Sequence, residues 1–158
     1  MRSSTMVLAL AAALVSGVIA MSASFAQDKE KIVAERQALM KQHGREIVVV
    51  RNYAQGKADQ QAAIAAVESL MKTVPTVPNF FPPGTGIGEV SVKTMAKPEI
   101  WSEHDKFLAA DKTVAGQIAI LEAAVKSGDK EKIAALYKEI GACAGCHNTF
   151  RAEAAEQK

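Results

Sequence analysis

In four segments between residues 28 and 150, apolar side chains return every three or four positions. Helices bury that spacing on one face and strands do not. Ile32, Leu39, Met40, Ile47 and Val50 fall along one such face, with Arg36 and His43 between them. This predicts a helix from Asp28 to about Asn52, closed by Gly56. Gly44 weakens the stretch, since a glycine costs about 1 kcal/mol inside a helix. Val48-Val49-Val50 would suit a strand, but one short isolated run makes no sheet. A second helix is predicted from Ala58 to Thr73, with Ala63, Ile64, Val67, Leu70, Met71 and Val74 as its apolar side and Pro75 as its stop.

A loop then runs from Pro75 to about Lys97 and holds four of the five prolines, with Gly84, Gly86 and Gly88. So long a loop usually has a function or packs on the domain, and Phe80 and Phe81 argue that it docks on something apolar. Pro98 and Glu99 are favoured openings for a third helix, carried to Gly128 by Ile100, Trp101, Phe107, Leu108, Val114, Ile118, Leu121 and Val125. Asp129 reads as the N-cap of a fourth. Ile133, Leu136, Tyr137, Ile140, Cys143, His147 and Phe150 form its face. Four amphipathic segments predict an all-α fold, an antiparallel four-helix bundle.

The chain before this bundle reads differently. Arg2 precedes the apolar run Met6–Leu14, and Ser24-Phe25-Ala26 offers small residues where a signal peptidase reads. Residues 1–26 are therefore expected to be a secretory leader cleaved after Ala26, leaving residues 27–158 as the bundle. An uncleaved anchor is the alternative, but no basic cluster follows at once to stop transfer. The expected location is a bacterial periplasm. The formal net charge of +2 falls near +1 once Arg2 is removed, and no basic stripe suits nucleic acid. No later segment is apolar over a bilayer's width.

The chemistry is concentrated in Cys143-Ala144-Gly145-Cys146-His147, a C-x-x-C-H run of the kind that attaches haem c. On a continuous helix the two thiols and the imidazole stand at i, i+3 and i+4, on one face. Two thiols so spaced can form thioethers with the two vinyl groups of one haem, and His147 can reach the iron. Other uses fit less well. A disulfide closing so short a loop stabilises little. A thioredoxin-like site needs a βαβ context. Structural zinc needs four ligands, and only His43 and His104 remain as imidazoles.

The second axial position separates the functions. Left open, the iron binds small gases; filled by methionine, it suits electron transfer. Met40, Met71 and Met95 are the candidates, and each could instead be packing. His43 lies three residues past Met40 and could compete, though a partly buried surface position suits it better. His104, between Glu103 and Asp105, reads as surface.

Several segments together resemble the class II c-type cytochromes, the cytochrome c-prime family. They are Arg36-Gln37-Ala38-Leu39-Met40, Phe81-Pro82-Pro83-Gly84-Thr85, Pro98-Glu99-Ile100-Trp101 with Phe107, and His147 followed by Phe150-Arg151. Four residues after the first-helix arginine, the gas-binding members carry an apolar residue, often leucine, and the low-spin members carry methionine. Met40 stands there, so the resemblance implies a six-coordinate His147/Met40 iron, similar to cytochrome c-556. It also implies that Arg36 and Arg151 lie near the haem. Arg36 would pair with a propionate, Gln37 would hydrogen-bond one, and Arg151 would lie against His147, with solvated surface roles as the alternatives.

The leading reading is an electron carrier meeting redox partner proteins at an exposed haem edge. The second is a five-coordinate protein that binds or senses nitric oxide or carbon monoxide. A haem enzyme ranks third, because no paired acid and base stands out. The resemblance also implies association as a homodimer through the first two helices.

Overall fold

The spacing of apolar residues is realised as helices packed side by side. The computed structural model describes the backbone of residues 4–140 and 143–153, with side chains from Asp28 onward except Ile140. The leader expected at residues 1–26 has no described side chains, and its first three residues lie outside the described backbone.

The elements are α1 (Ser4–Ala54), α2 (Gln60–Thr73), a 3₁₀ segment (Val74–Phe80), α3 (Glu99–Ser102), α4 (His104–Ser127), α5 (Lys130–Ile140) and α6 (Ala144–Phe150). Among the described residues there is no strand, only an isolated antiparallel bridge between Ala96 and Arg151. The arms α1, α2, α4 and the pair α5–α6 make the four-helix bundle. Helix α1 packs on α2 and α5, α2 on α4, and α4 on α5 and α6.

Local chemistry sets the ends. Asp59 caps α2 by accepting from the Ala62 amide at 2.8 Å, so that helix begins just after the Ala58 start expected from spacing. Asp129 caps α5 in the same way, accepting from the Lys132 amide at 2.9 Å. Gly128 closes α4 at φ 77°, where its amide reaches the Ala124 and Val125 carbonyls. Gln60 supports the same end by donating to the carbonyls of Val125, at 2.9 Å, and Lys126, at 3.2 Å.

Two expected helices are broken. The third is interrupted at Glu103, whose φ of −120° and ψ of 43° leave the helical region. The bend separates α3 from α4 and lets Phe107 turn inward while Leu108, counted on the apolar face, is 39% exposed. The fourth is divided into α5 and α6, and Cys143, in the left-handed region, leads into the second piece. The expected loop also opens with helix: Val74–Phe80 winds as 3₁₀ around Pro75 and Pro78.

Two apolar clusters result. The main core joins Ile47, Val50 and Tyr53 of α1 to Val67 and Leu70 of α2, Ile118 and Leu121 of α4, and Ile133 and Leu136 of α5. A smaller cluster at the loop end joins Ala96, Ile100, Phe107 and Phe150, with Phe81 and Trp101 against it. Its rings meet edge to face, Phe107 with Phe81 at 5.1 Å and with Phe150 at 5.4 Å. Leu39, Met40 and His43 lie along α1 between Arg36, which reaches the loop, and Ile47, which enters the main core.

Candidate haem-attachment site

The C-x-x-C-H run is a turn leading into a short helix. Cys143 is the N-cap of α6, at φ 65° and ψ 31° in the left-handed region. A side chain there costs on the order of 1 kcal/mol or more and persists only when its surroundings hold it. The Cys143 carbonyl accepts from the amides of Cys146 and His147, each at 3.2 Å, which closes the turn. The shared helix face expected for Cys143, Cys146 and His147 is therefore corrected. Cys146 and His147 lie on α6, and Cys143 precedes it with its backbone turned aside.

Both cysteines are free thiols, half-buried against the main core. Burial pushes the Cys143 thiol up. Cys146 is pushed up to about 11, by burial first, then by the charges of Asp111 and Cys143. Thiols so held stay protonated near neutral pH, unlike the depressed thiolates of redox or nucleophilic cysteines.

Asp111 is the carboxylate that adds to burial at Cys146. It is 8% exposed on α4, and burial raises its own titration. The apolar stripe already marked its position: Phe107, Asp111, Val114 and Ile118 follow steps of four, three and four. The stripe is visible in the sequence, and its one charged member faces inward with the rest.

Arg36 faces the loop from α1 and is 4% exposed. Its Nη1 donates to the Phe80 carbonyl at 3.2 Å and Thr85 Oγ1 at 3.1 Å. Its Nη2 donates to the Thr85 carbonyl at 2.9 Å and Thr94 Oγ1 at 2.7 Å. The guanidinium also lies 4.4 Å from the centre of the Phe81 ring. Burial lowers it to about 10. These hydrogen-bond acceptors are all neutral oxygens, so a buried cation stands here without a described carboxylate to offset it. Thr85 and Thr94 are both buried. The Phe-Pro-Pro-Gly-Thr spacing was the sign for Thr85, and Thr94 had none.

The other candidates separate by their contacts. Gln37 donates its amide to the Lys93 carbonyl at 2.7 Å on an exposed edge. Arg151 is exposed and donates from Nε to Met95 Sδ at 3.3 Å. His147 and Arg151 line one cavity of about 420 Å³ with Asn148, Ala152 and Glu153. Met71 packs against the main core. Met40 is half-buried, between the buried residues Arg36 and His43. His43, 7% exposed, is more enclosed than its sequence suggested and meets Thr73 Oγ1 at 2.8 Å. His104 is exposed.

These residues suit a covalently attached, anionic, iron-bearing ring. Two thiols stand at the edge of the core with His147 next along α6, and α1 carries a buried cation with only neutral hydrogen-bond acceptors. Among the described residues no three His, Cys, Asp or Glu side chains gather to hold a bare ion.

The comparisons with known proteins agree. The family model described as Cytochrome C' matches residues 31–151. Cytochrome c-556 of Rhodopseudomonas palustris is 32% identical over 143 residues, covering 87% of this chain and 94% of that one. Cytochrome c' of Rubrivivax gelatinosus is 42% identical over 101 residues, covering 62% and 76%. Among solved structures, the nitric oxide complex of a mutant cytochrome c prime from Alcaligenes xylosoxidans matches with a TM-score of 0.68 at 27% identity. It covers 79% of this chain and 97% of that one.

Proposed function

The chain belongs to the cytochrome c' family, and from that premise we propose that it is an exported electron carrier with iron held between His147 and Met40. The family's covalent c-type haem supplies the one-electron Fe(II)/Fe(III) couple. Cys143 and Cys146 would hold the ring by thioethers, so that it cannot be lost outside the cell. Arg36 would offer its buried charge to a propionate. Phe81, Phe107 and Phe150 close the loop end of the bundle against water.

The observation that carries the Met40 assignment is that the other two methionines with described side chains are engaged elsewhere. Met71 belongs to the main core, and the Met95 sulfur accepts from Arg151. Met40 remains, half-buried and one turn from Arg36. A neutral thioether on the iron closes the coordination shell, which suits electron transfer with little rearrangement. Export through a leader ending at Ala26, to a periplasm holding redox partners, completes this reading.

An open, gas-binding iron is the second reading. It is favoured by the relatives that bear the name cytochrome c' and by the nitric oxide complex among the matched structures. Carbon monoxide separates the two. The reduced protein should show sharp α and β bands that carbon monoxide leaves unmoved, and Met40→Ala should turn it high-spin and reactive. Prompt binding by the unaltered protein would show that the iron is open.

A further inference from the structure

Three consecutive loop residues, Thr94, Met95 and Ala96, join the two helices that carry the axial candidates. On one side, Thr94 Oγ1 accepts from Arg36 at 2.7 Å, one helical turn before Met40. On the other, Met95 Sδ accepts from Arg151 Nε at 3.3 Å, and the Met95 carbonyl accepts from the Ala152 amide at 2.9 Å. Ala96 pairs with Arg151 in the antiparallel bridge, and the Lys97 amide donates to the Phe150 carbonyl at 3.0 Å. The Arg151 amide in turn donates to the His147 carbonyl at 3.1 Å, so the tie ends on the backbone of the proximal residue. Thr94, Ala96, Arg36 and Ala152 are all buried. Water competes little for the buried Arg36–Thr94 bond, which makes that end of the strap stiff, while the Met95–Arg151 contact lies at the exposed edge.

We propose that Thr94-Met95-Ala96 is a strap that sets the spacing of α1 from α6, and that Thr94 thereby positions Met40 against the iron. This rests on the His147/Met40 reading. A thioether is a weak, neutral ligand, and the share of open iron follows the free-energy difference between bound and released states. Thr94 holds α1 through a hydrogen bond from a charged donor, and losing such a bond is worth about tenfold or more in an equilibrium. Thr94 acts through Arg36 and α1 and need not touch the iron.

The test is the rate at which carbon monoxide binds the reduced, haem-loaded full chain, with the melting temperature measured alongside. Thr94→Val keeps the shape and removes the acceptor, and should speed binding about tenfold. Thr94→Ser keeps the hydroxyl and should restore the slow rate. Thr94→Val combined with Met40→Ala should be no faster than Met40→Ala alone, because both open the same position. Met95→Leu, which loosens the proximal end of the strap, should also speed binding and serves if Thr94→Val does not fold. A Thr94→Val protein that melts lower but binds as slowly as the parent overturns the strap and leaves Met40 in place. Equal acceleration by Val and Ser overturns the role of the hydroxyl. A parent that already binds as fast as Met40→Ala overturns the ligation reading, and the strap with it.

Discussion

The imidazole of His43 meets the hydroxyl of Thr73 at 2.8 Å, where α1 lies against α2. Thr73 donates its own proton to the Ser69 carbonyl at 2.8 Å, so the bond to His43 is one that Nε2–H donates. Neutral His43 satisfies it, and a second proton would bring charge into a buried place. Burial lowers the His43 pKa, and the charge of Glu46 pulls the other way without cancelling it. The unfolded chain therefore binds more protons than the folded one below the ordinary histidine range. Stability is complete above about pH 6.5 and falls as acid carries the protein toward the lowered folded value, by at most about 1.4 kcal/mol per pH unit. His43→Gln can still donate to Thr73 and should flatten this dependence. Urea unfolding of the haem-loaded protein at pH 7.5 and 5.5 checks it; equal losses in parent and variant would sink the assignment.

Most of the bundle was legible in the sequence because apolar periodicity, Asp129 and Gly128 speak through local rules. The two helix breaks were not. A bend at Glu103 follows from where Phe107 must go, and no window around Glu103 carries that information. The C-x-x-C-H run named its chemistry without its shape, since spacing alone assumes a continuous helix and Cys143 is left-handed. Arg36 was visible as a candidate, but its hydrogen-bond partners Phe80, Thr85 and Thr94 lie 44 to 58 residues away. Such pairings are decided by tertiary packing.

Phe107 is the keystone of the loop-end cluster. It is 3% exposed and meets Phe81 and Phe150 edge to face. Phe107→Ala removes a buried ring and both aromatic contacts, and should cost about 3–5 kcal/mol. Phe81 also lies under Arg36, so the loss should loosen the loop as well. Denaturant unfolding reads the first effect, and faster amide exchange at Thr85 and Ala96 reads the second. A loss below about 1 kcal/mol would mean that the neighbours refill the space.

Gly128, at the turn between α4 and α5, provides a contrasting case. Its φ of 77° suits glycine, and an added Cβ would stand 3.5 Å from the Tyr53 hydroxyl, an ordinary contact. Space is therefore adequate and only the backbone conformation is strained. Gly128→Ala should cost about 1 kcal/mol and leave the visible spectrum of the haem-loaded protein unchanged. A spectral shift would show that the α4–α5 turn is coupled to the site.

Asp111 places a carboxylate within electrostatic reach of the attachment cysteines, as its upward push on the Cys146 thiol shows. Buried on α4 at 8% exposure, it is screened less by salt than a surface charge would be. A negative charge near the iron favours the ferric state over the ferrous one by Coulomb attraction. Its own titration is raised by burial, so the charge is fully present only above the usual carboxylate range. Asp111→Asn keeps the volume and removes the charge, and should raise the reduction potential at pH 8 by tens of millivolts. The difference from the parent should shrink as acid neutralises Asp111 in the parent. Spectroelectrochemical titration at pH 8 and at lower pH measures both effects. An unchanged or lowered potential at pH 8 would mean that the carboxylate lies too far from the iron, or is too well screened, to tune it.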